Sequence, residues 1–109
     1  MGTELRLTLQ TMAILKVLLM RPYEPRYGLE VSREAGLKTG TIYPALARLE
    51  SAGWVSSSWE DIDEAAEGRR RRRYYRLTAE GEVNARRVLS RASETLSMGW
   101  LPSPGGAQA

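Results

Sequence analysis

The chain has 109 residues, no cysteine, no histidine and a net charge of +3. That length suits one small domain. The missing Cys and His remove disulfides, thiol nucleophiles, the usual zinc and haem ligands and most acid–base catalysts, so cofactor, metal and most enzyme functions drop out.

Residues 1–7 carry no clear pattern and read as an N-terminal arm. Thr8 to Met20 predicts a helix. Its apolar residues (Leu9, Met12, Ala13, Leu15, Val17, Leu19, Met20) cover most of the circumference, so it is central or shared with a second subunit. Lys16 interrupts the run, which is far too short for a membrane span. No small-residue cleavage site follows it, so a cytoplasmic location is expected. Pro22 and Pro25 stop the helix. Tyr27 to Ala35 predicts a short helix with Leu29, Val31 and Ala35 apolar, ended by Gly36 as a C-terminal cap. Thr39 or Thr41 can cap the next helix. Ile42, Ala45, Leu46 and Leu49 mark its buried face, Tyr43 lies on the flank, and Gly53 closes it. Pro44 is placed in about the first turn, where a missing N–H is tolerated.

Trp54 to Trp59 is a β-type run, with Trp54 and Trp59 expected in the core at its base. Residues 60–68 read as a polar loop, and Arg72 to Leu77 as a second strand, which makes a hairpin. Thr78 caps a last helix from Ala79 to about Gly99. On it Ala85, Leu89, Ala92 and Leu96 recur four and three apart, the spacing of a coiled-coil seam and an expected homodimer interface. Trp100 at its end is a candidate dimer or ligand contact. The tail, 101–109, is rich in Pro, Gly and Ala and is expected to be disordered. The fold class is mainly α with a small β-hairpin: a winged helix-turn-helix over 8–78 and a dimerisation helix over 79–100.

Charge is unevenly placed. Glu60, Asp61, Asp63, Glu64 and Glu67 are followed at once by Arg69 to Arg73. Basic charge gathered in one segment points to a polyanion. Gly36-Leu37-Lys38 is a turn of helix-turn-helix length. It presents Lys38, Thr39, Gly40, Thr41 and Tyr43 at the start of the second helix of the pair, the end that meets bases in the major groove. The arginine-bearing hairpin beside it reads as a wing, with Arg71, Arg72 and Arg73 against phosphates or a narrow minor groove. Strand alternation puts Arg71 and Arg73 on the side of Tyr75 and Leu77, and Arg72 and Arg76 on the other. The acids lack the glycine and spacing of a calcium loop, so no metal is expected; they temper the arginines instead. The expected partner is double-stranded DNA. The alternative is a protein–protein adaptor that uses the basic wing on an acidic partner.

Three segments carry a resemblance: Arg26-Tyr27-Gly28-Leu29-Glu30, the run from Gly36 through Gly40-Thr41-Ile42-Tyr43-Pro44 to Glu50, and Arg73-Tyr74-Tyr75-Arg76-Leu77-Thr78 with Gly81. Together they resemble the PadR family of bacterial transcriptional regulators over about residues 8–97. The resemblance implies a winged-helix homodimer built on its first and last helices, acting as a repressor on a roughly palindromic operator. It implies that Tyr43 lies on the recognition helix with Thr39 and Thr41 at its groove-facing start, and that Arg71 to Arg73 lie on the wing. Tyr27 is expected to open the second helix near the DNA backbone. The chain ends soon after the last helix, as in short members, so no added C-terminal domain is expected. A small-molecule effector is part of the expectation, together with a nucleoid-associated location. Drug-responsive relatives carry an aromatic residue in the last helix where this chain has Ala92, which argues against a flat hydrophobic drug site there.

Overall fold

The computed structural model describes residues 7–95, ordered as α1 (Leu9–Met20), β1 (Arg26–Tyr27), α2 (Gly28–Ala35), α3 (Thr39–Ser51), β2 (Val55–Trp59), α4 (Glu64–Glu67), β3 (Arg73–Leu77) and α5 (Ala79–Thr95). The hairpin expectation needs one correction: the sheet has three strands in the order β1-β3-β2, all antiparallel. Arg26 pairs with Tyr75 and Tyr27 with Tyr74. A strand of two residues has no periodicity to read, and its partner lies far along the chain. Tyr27 therefore does not open α2. It is extended, and the helix begins at Gly28.

The core is built around α1. Ile14, Leu15, Val17 and Leu18 are buried among Val31 of α2, the α3 stripe of Ile42, Ala45, Leu46 and Leu49, Val55, Tyr75 and Leu77 of the sheet, and Ala85 of α5. The α3 stripe is the one its spacing predicts. Leu9 and Met20 at the two ends of α1 stay exposed. Thr8 caps α1 by accepting the Thr11 N–H at 3.1 Å. Thr78 caps α5 by accepting the Gly81 N–H at 2.9 Å, and its hydroxyl donates to the Gly53 carbonyl at 2.7 Å. Gly81 lets α5 sit directly on the start of β2: a Cβ there would lie 1.9 Å from the Trp54 carbonyl oxygen.

One charge lies inside. Arg26 is 2% exposed. Its Nε lies 3.2 Å from Glu30, its guanidinium also meets Glu34, and it donates to the Val17 carbonyl at the end of α1 at 3.5 Å. Burial opposes the charge, but hydrogen bonds to Glu34 and Glu30 outweigh it and hold the guanidinium above its ordinary value. Arg26 thus ties α1, the sheet edge and α2 together, which sets where α2 stands beside α3.

Candidate nucleic-acid interface

The turn between α2 and α3 is tightly built. Gly36 takes φ +70°, a left-handed conformation that favours glycine, and its N–H reaches the Arg33 and Ser32 carbonyls. Leu37 N–H donates to the Ser32 carbonyl at 3.0 Å, and the Ser32 hydroxyl donates to the Leu37 carbonyl. This fixes the entry into α3.

The N-cap of α3 is Lys38, and neither Thr39 nor Thr41 caps it. Thr39 is already helical, so its hydroxyl is past the position from which a side chain can close the first turn. The Lys38 carbonyl accepts from the Thr41 and Ile42 N–H groups at 2.9 and 3.0 Å. No side chain covers the helix start, which leaves its first N–H groups and the positive end of its dipole open to an external anion. Lys38, Thr39 and Gly40 are exposed around it, and Thr41 is half-buried. Pro44 lies beyond the first turn, so it does remove one helical hydrogen bond. Tyr43 is 44% exposed, and its ring lies across the start of α2. A Cβ at Gly28 would come within 2.4 Å of that ring, so the glycine gives it room. Leu29 is exposed and borders the same groove as Tyr43.

The wing is more organised than a polar loop. Asp63 caps the short helix α4 by accepting the Ala65 N–H at 3.1 Å, and Gly68 ends it. Arg69 makes a two-pronged contact with Glu60 at 2.8 and 2.9 Å, and Glu60 also accepts the Arg72 N–H at 3.1 Å. The Arg69 hydrogen bonds, helped by the Arg72 N–H and the positive charge of both arginines, outweigh desolvation and lower the Glu60 carboxyl to about 2. The same contact raises the Arg69 guanidinium. Glu64 accepts the Arg71 backbone N–H at 2.8 Å, while the Arg71 side chain donates to the Ile62 carbonyl at 3.1 Å. The acids thus neutralise Arg69 and fold the wing tip.

Arg72 lies 4.6 Å above the Tyr27 ring, which meets Tyr74 edge-on at 5.6 Å. Arg73 donates to Ser57 Oγ at 2.8 and 3.1 Å, Ser57 donates to Glu50 at 2.6 Å, and Arg73 lies 5.1 Å from the Trp59 ring centre. This chain of contacts joins the wing to the far end of α3. β3 begins at Arg73, yet the even–odd division still separates Arg72, over the Tyr27 ring on the Tyr74 side, from Arg73, on Ser57 opposite Tyr75. Arg71, Arg72 and Arg73 line one groove with Tyr27 and Tyr43, of about 620 Å³, between the wing and the helix pair. Burial pushes the Tyr75 phenol on its wall above the ordinary value. The expected place of Trp59 is also corrected. The residue is 56% exposed on the wing, whereas Trp54 packs against the core. A β-strand ending away from the helices has nothing to bury its last side chain.

A family model for the transcriptional regulator PadR-like family matches residues 14–87. The chain belongs to that family. The family is one of transcriptional regulators. No curated protein matches the chain. Among solved structures it is similar to the PcaV transcriptional regulator from Streptomyces coelicolor, crystallised with its natural ligand, at 25% identity and a TM-score of 0.70 over 98% of this chain and 71% of that one. It shares the fold of AbfR in a disulfide-formed state, at 24% identity and a TM-score of 0.67 over 94% of this chain and 65% of that one. It also shares the fold of a ZitR variant from Lactococcus lactis, at 18% identity and a TM-score of 0.63 over 89% of this chain; it spans 60% of the ZitR length.

In this PadR-like regulator the expected seam on α5 is divided. Ala85 is buried in the core of its own chain and is not free to meet a partner, whereas Leu89 packs against that core with one side and stays partly exposed. The packing of α5 on α1 uses that stripe first. Ala92 instead borders an apolar hollow with Leu7, Met12 and Val88, rimmed by Arg87 and Arg91. Leu96 and Trp100 lie outside the described residues, as do the arm up to residue 6 and the tail. Among the described residues no acidic cluster is arranged to hold a metal ion, and no helix is long and apolar enough to cross a membrane.

Proposed function

We propose that this regulator is a dimeric repressor that binds an operator of two inverted half-sites. The observation that carries the reading is the convergence of Tyr43 of α3 and the arginines of the wing on one groove, with the uncapped start of α3 about one turn before Tyr43. Lys38, Thr39, Gly40, Thr41 and Tyr43 enter the major groove. Arg71, Arg72 and Arg73 hold the adjacent backbone and minor groove, and Tyr27 stands at the edge of the same surface. Phosphate contacts fix position, and base contacts from α3 give the sequence preference. Two copies bind through the exposed parts of α1 and α5, so that one operator engages two recognition helices and keeps the protein on the nucleoid. The likeness to PcaV, solved with its natural ligand, supports adding a small-molecule effector to this reading.

Selection of bound duplexes from a random pool tests it, followed by gel shifts of the selected site between 50 and 200 mM salt. The expected result is an inverted repeat. A dimer that neutralises about 6–10 phosphates should lose about 10³–10⁵ in affinity over that salt range. A single unrepeated site, or affinity flat in salt, would overturn the proposal.

A further inference from the structure

We infer that Trp59 contacts DNA directly, as an apolar wedge in the minor groove that gives the wing a preference for A·T-rich sequence beside each half-site. The inference rests on the DNA-binding reading above and adds a residue to it. Trp59 is 56% exposed, although an indole is among the costliest side chains to leave in water. The ring is not a loose end. It stands opposite Arg73 in the β2–β3 register, with the guanidinium 5.1 Å from its centre. That guanidinium is anchored in turn on Ser57.

The indole borders two hollows, the groove facing α3 and a second one with Glu64, Arg70 and Arg71. The acids nearby are already engaged, Glu60 by Arg69 and Glu64 by the Arg71 backbone. Arg70 makes no ion pair among the described residues. An apolar blade edged with positive charge suits a cleft that is narrow, negative and floored by stacked base edges. Those are the properties of an A·T-rich minor groove, where arginines are drawn in by the potential and apolar side chains wedge at base steps. The indole N–H adds a donor for the acceptors on that floor.

The test compares the full-length chain with Trp59→Phe, Trp59→Ala and Arg72→Ala on one selected duplex flanked by A·T or by G·C pairs. Wild type should bind the A·T-flanked duplex more tightly, with a change in tryptophan fluorescence that Trp59→Phe largely abolishes. Trp59→Ala should lose about 5–50-fold on A·T flanks, in the range of an aromatic–base contact. Its flank preference should disappear, while Trp59→Phe keeps part of both. The salt slope should stay as in wild type, because no charge is removed, whereas Arg72→Ala should lower it. Wild-type binding to both flanks by Trp59→Ala, or an equal loss on both, overturns the wedge while the Arg72→Ala result still upholds DNA binding. Failure of the wild type to bind either duplex overturns both readings.

Discussion

Arg26 shows how a charge can organise a small core. Its guanidinium joins the last turn of α1 to two carboxylates of α2 from within the sheet edge. Arg26→Ala leaves a cavity and strips Glu30 and Glu34 of their partner. Breaking a buried pair costs about 3–5 kcal/mol, and because both carboxylates reach water the loss should sit near the lower end, about 3 kcal/mol. Urea unfolding measures it, and a loss under about 1 kcal/mol would mean the arginine is idle. Glu60 makes a different prediction. Its carboxyl is lowered to about 2 from an ordinary 4.5, chiefly by the hydrogen bonds from Arg69. A value depressed by folding means that the contact stabilises the wing fully above 4.5 and is lost as pH falls toward 2. Carboxyl NMR should find the Glu60 midpoint near 2, moving up toward 4.5 in Arg69→Ala. An unchanged midpoint in that variant would refute the assignment to Arg69.

The recognition helix and the wing are expected to divide their labour. Thr41→Ala and Tyr43→Ala should weaken operator binding more than binding to random duplex, by about 1–3 kcal/mol per lost base contact. Arg72→Ala should weaken both to a similar extent and lower the salt slope by about 1. If the two helix variants keep the wild-type specificity ratio, α3 does not read the bases. The seat of α5 depends on Gly81 in the same local way. With a Cβ placed 1.9 Å from the Trp54 carbonyl oxygen, Gly81→Ala must push the helix off the sheet. Overpacking of this kind costs about 1–3 kcal/mol, readable as a lower melting temperature. Unchanged melting would show that α5 has slack the geometry denies it.

The proposed assembly turns on which side of α5 is left over once the subunit has folded. Leu89 packs inward, whereas Val88 borders the hollow with Leu7, Met12 and Ala92. Leu89→Asp should therefore damage the subunit itself, by placing a charge against its core. Val88→Asp should leave a folded chain that sediments as a monomer and binds the operator weakly, since one half-site cannot supply the affinity of two. Circular dichroism and sedimentation at micromolar concentration separate the two outcomes. A dimeric Val88→Asp chain would remove this face from the interface.

The order of α1, α2, α3 and α5, the buried stripe of α3, the turn at Gly36 and the capping role of Thr78 were legible in the sequence, because each rests on local spacing or on one residue's backbone preference. So was the gathering of arginines beside a helix-turn-helix. The first strand was not, since two residues show no pattern and are held only by β3, far along the chain. Nor was the split of Ala85 from Ala92, because a heptad-like spacing names a face of α5 without saying that α1 of the same chain already occupies part of it. The place of Arg72 over Tyr27 and the exposure of Trp59 depended on the pairing of β1 with β3 and on where β2 runs out. Local periodicity fixes which side of an element is apolar; which neighbour covers that side, and which side chains are left for DNA, is decided only when distant segments pack.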